Sequence, residues 1–352
     1  MTCRNFIKSF LPAFFLMTSF SCASLCLSAA DLEEQAQALT EKEEFVSNQE
    51  NRDDTIVVGY SQIGAESDWR IANTESVRGA LTAENGFYLI YENAQQMQEK
   101  QVKALRNFIL QGVDYIVLNP IIETGWDSTL QEAKDKGIPV IIVDRKVEVE
   151  DESLYTCWIG SDFKKEGSDA GEWLADYLKE AGRDDQEVNI VLLQGTEGSS
   201  AQIGRTAGFS EVALQHENWH VIYSEDADFT QAKGKEVMSS ILKDNSNIDI
   251  LVSENDNMTF GAIEAIREAG LTCGVDGDIT VISFDAVSSA FDEMIAGNIN
   301  ADFECNPLHG PIIRDAILAL ERGEEVGKTQ YMQETYFDTS MDLESLKAER
   351  TY

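Results

Sequence analysis

The sequence predicts an α/β protein of two hinged lobes, each a doubly wound parallel sheet. Three observations carry this. From residue 55 onward, short apolar runs alternate with amphipathic stretches. The runs are β-branched and nearly continuous, as strands buried on both faces should be. The alternation goes through one set of strands and then starts again, so the chain supplies two sheets rather than one.

The first set reads as strands at residues 55–61, 87–91, 115–119 and 140–144, with helices at 70–84, 98–111 and 126–136 between them. The second reads as strands at 189–193, 221–224, 250–253 and 280–284, with helices at 164–180, 201–215, 231–243 and 258–269. Gly112, Gly137 and Gly270 stand where helices should stop, since glycine takes the left-handed closing conformation without penalty. Pro139 precedes a strand, where a helix could not continue.

The outer limits agree with this size. The chain has 352 residues and is 43% hydrophobic, enough for two ordinary domains with real cores. Residues 1–30 differ from the rest. Arg4 and Lys8 give a basic start, no acid precedes Asp31, and an apolar run covers 10–20. Ser28-Ala29-Ala30 puts small residues at the −3 and −1 positions of a cut before Asp31. The apolar run is shorter than the ~20 residues a bilayer needs, so this reads as a secretory signal rather than a span. A second reading is a cut before Cys22 with lipid on that thiol, although Ser19-Phe20-Ser21 lacks the expected leucine. Residues 31–54 hold nine acids against Lys42 and Arg52 and read as an acidic, solvated tether.

With 63 acidic and 27 basic residues the net charge is −36, which excludes a nucleic-acid partner for want of a phosphate-neutralising patch. Three of the six cysteines (Cys3, Cys22, Cys26) lie in the leader. Cys157, Cys273 and Cys305 permit at most one bridge, read as buried free thiols, and show no metal-site spacing.

Polar chemistry recurs at strand ends, where open α/β sheets bind their ligands. The first strand leads to Ser61, Gln62, Glu66, Trp69 and Arg70, and the fourth ends in Asp144-Arg145. In the second lobe Gly195-Thr196-Glu197-Gly198 is followed by Arg205; Asp228-Phe229, Asn255-Asp256 and Asp285 follow later strands. Carboxylates accept from paired hydroxyls, guanidinium forks donate to paired oxygens, and Trp69 and Phe229 offer faces for a ring. Together they suit a polyol such as a sugar.

At these residues the chain resembles the exported sugar-binding proteins of ABC importers, in the ribose/galactose-binding class, with type I periplasmic binding folds. The likeness runs from about Thr55 to the end. It rests on Ser61-Gln62 with Glu66 and Trp69-Arg70, Gln95-Gln96, Thr124-Gly125-Trp126, Asp144-Arg145, Leu193-Gln194-Gly195-Thr196, Asp228-Phe229-Thr230, Lys233-Gly234-Lys235-Glu236-Val237-Met238, Asn255-Asp256 and Gly261-Ala262-Ile263. Within the class it is similar above all to the galactofuranose-binding members.

The resemblance implies a monosaccharide ligand, galactofuranose first, held by Arg145, Arg205, Asn255, Asp285 and Asp144 between Trp69 and Phe229. It implies three crossovers near Asp162, Cys305 and Thr335, hence an N-terminal lobe of 55–160 with 306–334 and a C-terminal lobe of 161–305 with 335–352. It implies hinge closure on the sugar and delivery to an ABC permease with its ATPase. The expected protein is a monomer without cofactor or metal. It would be exported to the periplasm or the outer face of the cytoplasmic membrane. Cys305 falls where ribose-binding relatives carry a polar contact, which argues against ribose.

Other readings are weaker. A sugar sensor presenting its ligand to a chemoreceptor or kinase would share the site. A LacI-type regulator would need a helix-turn-helix where the leader stands. A furanoside hydrolase needs carboxylates flanking a bond from opposite sides, and Glu66 and Asp68 share one loop. His216-Glu217-Asn218-Trp219-His220 fits H-E-x-x-H, but His220 leads into a strand, so its two rings should not share a helical face. Gly195–Gly198 reads as a tight strand-to-helix turn, and Asp276-Gly277-Asp278 as a turn rather than a calcium loop.

Overall fold

The computed structural model describes residues 55–245 and 247–352. The signal and the tether lie outside the described residues. Two six-stranded sheets follow. The first contains β1 (Ile56–Gln62), β2 (Phe87–Asn93), β3 (Tyr115–Leu118), β4 (Val140–Val143), β5 (Cys157–Gly160) and β11 (Thr329–Tyr331), ordered β11-β5-β4-β3-β1-β2. The second contains β6 (Val188–Gln194), β7 (Trp219–Asp226), β8 (Ile250–Ser253), β9 (Thr280–Asp285), β10 (Ala301–Glu304) and β12 (Tyr336–Asp338), ordered β12-β10-β9-β8-β6-β7. Neighbours pair in parallel, except that β12 runs antiparallel to β10. The two orders match strand for strand, so each sheet carries its crevice at the equivalent place.

Each sheet is covered on both faces, which is why its strands are continuously apolar. On the first, α1 (Asp68–Ala80) and α9 (Gly310–Glu321) cover one face, packing Val77, Ile313 and Ile317 against Val58, Val117 and Ile141. On the other face α2 (Gln98–Gln111) and α3 (Asp127–Asp135) set Leu105, Phe108 and Leu130 against Ile116 and Ile142. On the second sheet α4 (Phe163–Glu180) and α5 (Ser200–Ala213) bury Leu174 and Phe209 against Ile190 and Phe284. The opposite face holds α6 (Gln231–Asp244), α7 (Asp256–Glu268), α8 (Ser288–Ile295) and α10 (Leu343–Glu349).

Local chemistry starts and stops these helices. The Ser67 hydroxyl caps α1 by accepting from the Arg70 N–H, and Asn255 caps α7 by accepting from Met258 N–H. Gly112 closes α2 at φ 66°. The helix expected over 70–84 stops at Ala80, and a single 3-10 turn occupies Ala83–Asn85. β5 is a four-residue strand that the sequence pattern does not include. β7 is longer than expected and its interior is half exposed, as suits an edge strand.

The chain crosses between sheets three times: after β5, after β10 and after β11. Cys157, Cys273 and Cys305 are buried and unbridged. Among the described residues no helix is long and apolar enough to cross a membrane.

One buried pair makes the fold pH-sensitive. Asp256, at the start of α7, and Asp302, in β10, are both fully buried. Burial raises both, Asp302 to about 7 and Asp256 well above the usual carboxylate range, each further affected by the other. Burial also raises Glu254 to about 7. The native state thus holds protons that an unfolded chain, ionising near pH 4, has released. That stability is fully present below about pH 4 and is lost as pH rises through about 7. Calorimetry should show Tm falling between about pH 5 and 8, and Asp302→Asn should flatten the fall; equal slopes would show that Asp302 holds no such proton.

Candidate functional site

Glu66, Trp69, Arg70, Asp144, Arg145, Arg205, Phe229, Asn255 and Asp285 converge on one tight cavity. Ser67, Phe163, Ala201 and Cys305 complete its lining. The loop after β1 and the first turn of α1 deliver Glu66, Trp69 and Arg70, and the end of β4 delivers Asp144 and Arg145. From the second sheet come Arg205 on α5, Phe229 after β7, Asn255 after β8 and Asp285 at the end of β9. Asp144, Phe229 and Asp285 hold left-handed backbone at φ 61°, 58° and 106°. Such conformations cost about 1–3 kcal/mol each and persist where surrounding structure imposes them.

Three guanidinium groups dominate the electrostatics, and they differ. Arg70 donates to Glu66 at 2.9 Å and to Asp144 at 2.7 Å, and its guanidinium lies 4.7 Å from the centre of the Trp69 ring. Burial alone would pull the Arg70 pKa down, but Asp144 and Glu66 hold it up. Arg205 donates to Glu166 at 2.7 Å, to Asp285 at 3.4 Å and to the Glu254 carbonyl. Arg145 donates to the Ile121 carbonyl at 2.7 Å and lies over Phe229, 5.0 Å from the ring centre. Burial and then the neighbouring Arg70 lower it to about 10, so it stays protonated at neutral pH. Burial raises Asp285 well above the carboxylate range, with Arg205 only partly opposing. Glu66 Oε2 and Arg70 Nη1 are buried with no hydrogen-bond partner among the described residues. Unpaired buried polar atoms in a cavity are places for a polar ligand.

Ser61 and Gln62 lie outside this lining. Both belong to β1 rather than to the loop beyond it. The Gln62 amide is held among Tyr60, Asn73 and Thr74, between the sheet and α1. Ser61 is fully buried within the strand. They stand behind the cavity lining, within the strand. The H-E-x-x-H pattern is dispersed: α5 ends at Ala213, His216 stacks on Trp219 at 4.2 Å, and His220 sits in β7 paired with Glu187.

The two sides also meet at the rim. Asp68 N–H donates to Asn257 at 3.0 Å and Ser289 donates to Asp68 at 3.3 Å. Elsewhere Glu123 N–H donates to the Gly198 carbonyl at 3.0 Å and Lys146 N–H to Ser200 at 2.7 Å. The described conformation is therefore closed around the cavity.

A sequence profile described as a periplasmic binding protein domain matches residues 58–304. The chain belongs to the periplasmic binding protein family. It is 42% identical to the galactofuranose-binding protein YtfQ of Escherichia coli strain K12, over 77% of this chain and 83% of that protein. A crystal structure from Mycobacterium smegmatis in complex with β-D-fucofuranose superposes with a TM-score of 0.80 at 40% identity, covering 85% of this chain and 96% of that one. The binding component of the arabinose ABC transporter of Shewanella sp. ANA-3, bound to α- and β-L-arabinofuranose, gives 0.78 at 41% identity, covering 84% and 95%.

The periplasmic binding protein cavity includes residues that the strand-end pattern does not reach. Phe163 follows the first crossing and Ala201 faces in from the start of α5. A signal for Phe163 existed in Ser161-Asp162, a helix start just past a strand, with Asp162 capping α4. Gly195 has a demanding role: a Cβ there would fall 1.8 Å from the Phe229 ring. Gly195→Ala should push that ring into the cavity and remove ligand binding while the helices stay folded. Calorimetric titration beside circular dichroism checks this; undiminished affinity would show that Phe229 has room elsewhere.

Proposed function

We propose that this protein is an exported solute-binding protein that captures a monosaccharide in furanose form, galactofuranose first, and hands it to an ABC permease driven by its ATPase. The observation that carries the reading is the cavity itself: three guanidinium groups, three carboxylates and three aromatic side chains converge from two sheets, leaving Glu66 Oε2 and Arg70 Nη1 unpaired among the described residues. A furanose offers hydroxyls to both kinds of group and a C–H face to Trp69 or Phe229. Relatives whose names or complexes specify galactofuranose, fucofuranose and arabinofuranose support a five-membered ring.

In this reading Arg145, Arg205, Asn255, Asp144 and Asp285 contact the sugar, Glu66 and Arg70 add to them, and Trp69 and Phe229 wall it. Residues 55–160 with 306–334 form one lobe and 161–305 with 335–352 the other. Sugar bridging the lobes favours the closed state, which the permease recognises. The protein acts as a monomer, is not an enzyme, and reaches the periplasm through the leader at 1–30.

A thermal-shift screen tests this with galactose, whose solutions contain the furanose, alongside fucose, arabinose, ribose and fructose. A ligand at ~100 Kd adds about 2.7 kcal/mol of stability. A rise with galactose, fucose or arabinose and none with ribose is expected. No rise with any sugar, even after unfolding and refolding to remove retained ligand, would overturn the proposal.

A further inference from the structure

A groove of about 1020 Å³ runs beside α4 and the β10–β12 edge. Six carboxylates between Asp162 and Glu180 line one wall, and Glu304, Glu334 and Asp338 line the other. Lys165 is the single basic residue of this lining, and Asp169 pairs with it. A cleft lined by one sign of charge concentrates counter-ions.

Glu166 and Glu334 of this lining, with Cys305 of the sugar cavity, bring two carboxylate oxygens and a sulfur within 4.8 Å of one another. Each comes from a different crossing: Glu166 from the first turn of α4, Cys305 from the segment after β10, and Glu334 from the link between β11 and β12. Glu166 is 6% exposed. Its Oε2 accepts from Arg205, but its Oε1 has no hydrogen-bond partner among the described residues. An unpaired buried carboxylate oxygen beside a thiol and a second carboxyl is a costly arrangement without a ligand.

We propose that Glu166, Cys305 and Glu334 form a hinge site for a divalent cation of borderline softness, with zinc as its representative. The donor set selects the ion. A thiolate does not suit calcium or magnesium, which take oxygen ligands, whereas zinc accepts sulfur and carboxylate together. Three protein ligands leave a fourth position for water. The Ser161 hydroxyl, 3.3 Å from the Cys305 sulfur and bonded to Glu334, orients two of the ligands. Arg205 already offsets the Glu166 charge, and the cation neutralises those of Cys305 and Glu334.

Burial raises all three acids, Glu166 to about 7, Glu334 to about 8 and the Cys305 thiol well above its usual value. The thiol and carboxyl protons leave to solvent when the ion binds, so affinity rises with pH. A bound ion would tie the three crossings together and, through Glu166, hold Arg205 at the sugar cavity.

The test uses the purified protein, stripped with a chelator and titrated with Co²⁺ as a spectroscopic stand-in and with Zn²⁺ by competition. One Co²⁺ per chain should bind with a thiolate charge-transfer band in the near ultraviolet. Cys305→Ser should remove the band. Glu334→Gln should weaken Zn²⁺ binding at least about 10-fold, and Glu172→Gln, on the groove wall, should change neither. No band in the unaltered protein would overturn the site, as would a band surviving Cys305→Ser in a folded variant. Equal weakening by Glu172→Gln and Glu334→Gln would also overturn it, as diffuse attraction by the groove. None of these readouts depends on which sugar binds.

Discussion

Arg145→Ala is expected to remove measurable sugar binding while leaving the unliganded protein as stable as before. Arg145 is buried, makes no ion pair with a carboxylate among the described residues, and spends one donor on the Ile121 carbonyl. Its remaining donors face the cavity with Phe229 beneath them. Hydrogen bonds from a charged donor contribute roughly 1.5–3 kcal/mol each. Loss of two weakens binding on the order of 100-fold or more, since 1.4 kcal/mol is tenfold. The charge is also poorly compensated by its protein surroundings, where burial and Arg70 disfavour it. Its removal therefore costs packing but relieves repulsion. Titration calorimetry with the best sugar from the screen, paired with a melting curve, separates the two effects. Retained affinity would exclude Arg145 from the contact set.

Arg205→Ala should behave differently and destabilise the protein strongly. This guanidinium joins Glu166 on α4, Asp285 on β9 and the carbonyl before Asn255. Removing one partner of a buried ion pair costs about 3–5 kcal/mol, because the other charge stays buried and uncompensated. For a chain of this size that lowers Tm by roughly 10 °C. The loss should be smaller at about pH 5 than at about pH 8. Burial already raises Glu166 to about 7, and without Arg205 it and Asp285 can take up protons at the lower pH. Sugar binding should vanish as well. A Tm within a degree or two of the parent protein at about pH 8 would show that this pairing is not structural.

The strand-end residues were legible because each follows a buried apolar run, and a parallel sheet places every such run's exit on one edge. Glu66, Trp69, Arg70, Asp144, Arg145, Phe229, Asn255 and Asp285 are reached that way, and Arg205 lies one helical stretch further on. Ser61 and Gln62 carry the same signal but lie outside the cavity lining. Sequence places them at a strand end, but pairing of β1 with β2 continues through Gln62, which keeps both residues inside the sheet. The elements beyond Asp285 were harder to see. Two of the strands there, β11 and β12, are only three residues long and are joined to their sheets by the hinge crossings. Periodicity cannot register a run that short.

The sequence by itself determined the fold class, the two sheets and most of the residues at their carboxyl edges, because these follow from local alternation and from the burial of both sheet faces. Only the tertiary structure decided which of those side chains bond to one another. Arg70 lies between Glu66 and Asp144, whereas Arg145 is left with free donors. Glu166, Cys305 and Glu334 meet although they are far apart in the chain. Such meetings depend on how two separately built sheets are brought together by three crossings, a long-range packing that no local pattern encodes.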